Sequence, residues 1–157
     1  MRSLREMRRR LPRSSPPAIA VKAAVVGADF REAGLRAHLN LGHTFGHALE
    51  SAVGIGTMSH GEAVAWGIAR AMHLGLLLGE TDPAWARRVV RVLRRYGYPL
   101  GPPSVAPALI RRAMDVDKKR GPEGIQFVLQ RGAHDTLVRT VPEEALWSAL
   151  TEYEEPA

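Results

Sequence analysis

The sequence contains no cysteine. That excludes disulfides, zinc fingers and thiol catalysis, and leaves any metal ion to histidine and carboxylate ligands. Aromatic residues make up only 6% of the chain, so the core is expected to be mostly Ala, Leu, Val and Ile. Lysine is nearly missing: 3 Lys stand against 19 Arg in a chain of net charge +6. The positive excess favours anionic partners, with a solvated Arg-rich surface as the simpler account. No apolar run approaches the roughly 20 residues of a membrane span. No G-x-G-x-x-G or comparable phosphate loop occurs. The N-terminal stretch MRSLREMRRRLPRSSPP is rich in Arg and Ser but has no apolar signal core, which points to the cytoplasm.

The 157 residues that remain to be explained suffice for one domain with a real core, and 45% hydrophobic with 24% charged residues is ordinary for a globular protein. Residues 1–17 read as a basic segment, with a short helix over 1–11 ended by Pro12, Pro16 and Pro17. Residues 18–157 read as a helical domain. Helices are expected from Ala18 through AIAVKAAVVGADF, over 35–53, over 60–78, from Pro83 to Tyr96, over 105–116, and through EEALWSALTEY. Ser59 and Glu62 form an S-x-x-E capping box, and Asp82-Pro83 is a cap followed by proline at the first helical position. The helix after Ser59 is apolar almost all round and should be central. Segments 125–129 and 136–140 read as two short strands joined across QRGAHD. The fold class is mainly α, a multi-helix bundle with one small β-hairpin.

The chain's most informative stretch is RAHLNLGHTFGHALE, residues 36–50. At about 100° per residue, Arg36, Asn40, His43 and His47 fall in a stripe roughly 60° wide. Leu41, Phe45, Ala48 and Leu49 face the other way. A stripe of Arg, Asn, His and His suits an anionic or metal-bound ligand. His43 and His47 can share a metal, or one can ligate while the other moves protons. His60 begins the next helix, whose positive end favours the neutral, metal-binding ring. The intervening loop lets it fold back beside His43. Satisfied structural histidines are the alternative. Gly42 and Gly46 each cost roughly 1 kcal/mol in a helix interior, which implies close approach of a helix or a ligand. Lys22, alone among Ala and Val, reads first as a solvated lysine. Lys118 and Lys119 either complement a helix end or contact phosphate or carboxylate. His73, in an apolar helix, reads as a core or boundary residue.

LNLGHTFGHALE followed by HGEAVAWGI resembles the signature of the 3-dehydroquinate synthases, within the sugar-phosphate cyclases. The likeness runs upstream through VKAAVVGADFREAGLR and downstream through MDVDKKRGPEGIQFVL, over about 20–129. It implies the helical C-terminal domain of a two-domain enzyme whose N-terminal α/β domain binds NAD and is absent here. By motif, His43 and His60 match the metal-ligating histidines for zinc or cobalt, and His47 the proton-shuttling one. Lys22, Arg36 and Asn40 match residues that hold substrate groups, and one of Lys118 and Lys119 a further anion-binding lysine.

The implied reaction converts 3-deoxy-arabino-heptulosonate 7-phosphate to 3-dehydroquinate in the shikimate pathway. NAD oxidises a hydroxyl, the metal polarises the resulting oxygen, phosphate leaves by elimination, and reduction, ring opening and an aldol step follow. The family's third metal ligand, a glutamate, lies upstream of the motifs present, and Phe30 stands where the family carries an acidic residue. The expectation is a chain that does not catalyse the whole reaction alone and needs a separate NAD-binding domain or subunit. The complete enzyme is expected to be a homo-oligomer acting on a phosphorylated sugar acid. The alternatives are a non-catalytic remnant or interaction module with the helical fold, and another sugar-phosphate cyclase. Arg87, Arg88, Arg91, Arg94 and Arg95 permit nucleic-acid binding, but no nucleic-acid motif supports it.

Overall fold

The computed structural model describes residues 16–29, 35–54, 56–116, 120–121 and 124–156. The expected helix over 1–11, Phe30, Lys118 and Lys119 lie outside these. The chain divides into two units, 1–39 and 40–157, each described by itself.

In the first unit, α1 spans Pro16–Ala28. The helix therefore starts at Pro16 and Pro17, prolines whose sequence pattern also suits the end of a preceding helix. Proline's fixed φ and missing N–H suit the first helical turn as well as they suit a break. Lys22 is exposed on α1. A 3-10 helix, Leu35–Asn40, runs to the unit boundary, and the Arg36 backbone N–H donates to Asp29 Oδ2 at 3.0 Å.

The second unit contains α2 (His43–Val53), α3 (His60–Leu77), α4 (Pro83–Arg95), α5 (Pro107–Val116), a small antiparallel sheet and α6 (Glu143–Thr151). The sheet has order β1-β2-β3, with β1 Arg120–Gly121, β2 Gly124–Gly132 and β3 Asp135–Thr140. The hairpin β2–β3 pairs Phe127 with Arg139 and Leu129 with Leu137, has a bulge at 130–132, and turns through Ala133 and His134. Among the described residues no helix is long and apolar enough to cross a membrane.

α3 is the central element. Its capping box is complete: the Ser59 side chain accepts from the Glu62 backbone N–H, and the Glu62 carboxylate accepts from the Ser59 N–H at 2.8 Å. From Ala69 to Gly75 every residue is buried, and α3 packs against α2, α4, α6 and β2. The core is rich in Ala and Leu, yet its centre is aromatic. Phe45 lies 6.3 Å from Trp66 and 4.8 Å from Phe127, ring centre to ring centre, and all three are buried. A scarce residue type therefore holds α2, α3 and β2 together, because each ring covers far more area than an alanine.

The helix expected over 35–53 is two elements. Gly42 adopts φ +77° and breaks the chain between the 3-10 helix and α2. That conformation is open to glycine and strained for other residues. Arg36 and Asn40 therefore belong to the 3-10 helix, whereas His43 and His47 belong to α2. The glycines serve helix crossing: a Cβ on Gly46 would stand 3.1 Å from Ala63 and Val64 backbone atoms, and one on Gly67 would overlap the Gly42 carbonyl oxygen.

Candidate metal centre

His43 and His60 are the first residues of α2 and α3. Helix starts carry unpaired N–H groups and partial positive charge. The loop between the helices folds His60 back beside His43, with ring centres 5.5 Å apart. His47, one turn along α2, is 5.4 Å from His43 and 5.6 Å from His60. Each ring offers a nitrogen, and the three nitrogens lie within 4.8 Å of one another.

This spacing fits a divalent ion. Zn–N bonds of about 2.0–2.1 Å in a tetrahedral shell place ligand nitrogens about 3.3 Å apart. His47 and His60 are exposed and His43 is half-buried, so small ring rotations close the difference. The donor set is imidazole, which suits zinc and cobalt.

The ring nitrogens are not equivalent. His60 Nδ1 lies 3.0 Å from Glu50 Oε2, and His43 Nδ1 lies 3.3 Å from the Leu41 carbonyl oxygen. An ionised carboxylate and a carbonyl can only accept, so each Nδ1 carries the proton and each Nε2 keeps its lone pair. His47 has ring contacts with the other two and no hydrogen bond among the described residues, so nothing there fixes its tautomer.

The structure thus brings His43, His47 and His60 together. Asn40 opens the same unit and is half-buried. Lys22 and Arg36 belong to the first unit. His38 is half-buried in that unit, and His134 occupies the hairpin turn at φ 65°.

Glu50 went unremarked in the sequence reading. It lies seven residues after His43, about 20° round the helix from it and just beyond the edge of the polar stripe, so periodicity alone could have found it. A second polar group lies elsewhere, in the core. Arg70 is 1% exposed, donates to the Leu100 carbonyl at 2.9 Å, and has its guanidinium 3.5 Å from the Tyr153 ring centre and 4.4 Å from that of Trp66. Burial lowers its pKa to about 10, which leaves it charged at neutral pH. His73 is also buried, with its ring 5.4 Å from Tyr153. Burial, and then the Arg70 charge, push its pKa below 6.5.

Residues 2–120 match the family model described as 3-dehydroquinate synthase C-terminal. The chain is 45% identical over 134 residues to a 3-dehydroquinate synthase from Pseudomonas putida, covering 84% of this chain and 37% of that protein. It is also similar to the structure of a 2-epi-5-epi-valiolone synthase from Streptomyces hygroscopicus with NAD+ and Zn2+ bound, with TM-score 0.74, 26% identity, and coverage of 87% of this chain and 38% of the other. A 2-deoxy-scyllo-inosose synthase complexed with carbaglucose-6-phosphate, NAD+ and Co2+ shares the fold, with TM-score 0.76, 24% identity, and coverage of 86% and 40%. The chain therefore spans about two-fifths of the length of these relatives.

Proposed function

The chain belongs to the 3-dehydroquinate synthase C-terminal family, and on that footing we propose that it supplies the metal- and substrate-binding part of a phosphate-eliminating cyclase, converting 3-deoxy-arabino-heptulosonate 7-phosphate to 3-dehydroquinate. The observation that carries this reading is the histidine trio, with three ring nitrogens within 4.8 Å at the starts of two helices. His43 and His60 hold a divalent ion, zinc or cobalt, through Nε2. His47, whose tautomer no hydrogen bond among the described residues fixes, takes up and returns the proton of a substrate hydroxyl. Lys22, Arg36, Asn40 and one of Lys118 and Lys119 hold the substrate's anionic and hydroxyl groups. The bound ion supplies Lewis-acid polarisation of a substrate oxygen, and NAD the redox chemistry.

The valiolone synthase relative with NAD+ and Zn2+ supports that cofactor pair. Valiolone synthesis itself is the weaker reading, because identity is 26% there against 45% with the dehydroquinate synthase. The test combines the chain with the NAD-binding domain of the P. putida enzyme, NAD and zinc, and measures phosphate release and dehydroquinate formation. Turnover should require both components. His47→Ala should lower it by about 10²–10⁴-fold while zinc binding persists. Absence of turnover with both components folded and zinc bound would overturn the assignment.

A further inference from the structure

Glu50 sits in the last turn of α2, and its carboxylate reaches across the 54–59 loop to the first residue of α3, with Oε2 3.0 Å from His60 Nδ1. Both side chains are partly open to solvent, at 31% for Glu50 and 57% for His60, so as an ion pair the contact would add little stability. Its geometry has a different consequence. A carboxylate behind Nδ1 fixes the ring's tautomer and its rotation together. It also makes Nε2 a better donor. The Leu41 carbonyl stands behind His43 Nδ1 in the corresponding way, whereas among the described residues His47 has no such acceptor.

We propose that Glu50 is a positioning residue, which holds His60 as the Nδ1–H tautomer with Nε2 presented to the metal ion. Without it, an exposed imidazole at a helix start is free to rotate and to exchange tautomers, and a share of the chains presents the wrong nitrogen. The role rests on the metal reading given under Proposed function, but its first consequence appears without metal.

The test has two arms on the intact chain. In the metal-free protein, in mildly alkaline buffer where the rings are neutral, long-range 1H–15N correlation spectra report each histidine's tautomer. His60 should be Nδ1–H in the unmodified chain, and Glu50→Ala should shift it toward Nε2–H. In the second arm, zinc affinity is measured by competition with a chromophoric chelator. Glu50→Ala should weaken it by about 10–100-fold. Glu50→Gln, which keeps an oxygen acceptor, should recover most of that loss.

An Nε2–H His60 in the unmodified chain overturns the proposal and requires no variant to fold. So does zinc affinity unchanged in Glu50→Ala, which would make the contact only a tie across the loop. So does a Gln variant as weak as the Ala variant, which would mean that the carboxylate itself meets the ion. If the unmodified chain shows the Nδ1–H tautomer but binds no zinc, it is the metal reading that fails.

Discussion

His73, Arg70 and Tyr153 form a polar group in the core in which His73 Nε2, Arg70 Nε and the Tyr153 hydroxyl have no hydrogen-bond partner among the described residues. Protonating His73 would put a second cation beside the Arg70 guanidinium. Its folded pKa is lowered from 6.5 by burial and by Arg70, against opposing pulls from Glu154 and Glu152. A lowered folded value means that the unfolded chain binds the proton first. The stabilisation is present above the unfolded pKa of 6.5 and is lost as pH falls below it. The melting temperature should therefore drop between about pH 7 and about pH 5, and His73→Gln should flatten that drop. Glu155 acts in a lower window, because its bond to Arg94 holds it below 4.5. A melting temperature that is flat across the upper window, or equally steep in His73→Gln, would count against this account.

At the scale of elements, the α2–α3 crossing depends on glycine at three places. A methyl on Gly67 meets backbone atoms of Gly42 and Gly46, which cannot swing aside as a side chain can. Gly67→Ala should cost about 1–3 kcal/mol through overpacking. Gly61→Ala, on the same helix with nothing within 4 Å of the added carbon, should be neutral or gain up to about 1 kcal/mol. Urea midpoints of the two variants decide it, and equal midpoints would sink the crossing argument.

Much of this architecture was legible in the residues. The Ser59–Glu62 box, the Asp82 cap before Pro83, and the apolar length of α3 all announce themselves locally. The Asp82 carboxylate accepts from the Trp85 N–H at 2.7 Å, as its position before Pro83 implies. The break at Gly42 did not announce itself, because apolar spacing continues on both sides of it and only the backbone angle reveals the turn. The spacing of His43 and His47 was readable along one helix. The partnership of Glu50 with His60 was not, since it depends on the path of the loop between two helices.

Across the whole second unit, the residues after α6 act as a clasp. Tyr153 lies over Arg70 of α3, and Glu155 accepts from Arg94 of α4 through both carboxylate oxygens at 3.1 and 3.0 Å. The pair is exposed and worth at most about 1 kcal/mol. The Tyr153 ring matters more, at about 1–3 kcal/mol for its buried area and its stacking on the guanidinium. Ending the chain after Thr151 should lower thermal stability by clearly more than Glu155→Ala does. A shortened chain as stable as the intact one would show that the clasp carries no weight.

The close approach of α2 and α3 has one more consequence. His43 and His60 head the two helices that meet at Gly42, Gly46 and Gly67, so the gap between two backbones gauges the span their rings must bridge. A wider crossing would spread the nitrogens and suit an ion of larger radius with longer bonds. Selectivity among divalent ions would then be written partly in glycines that touch no ion.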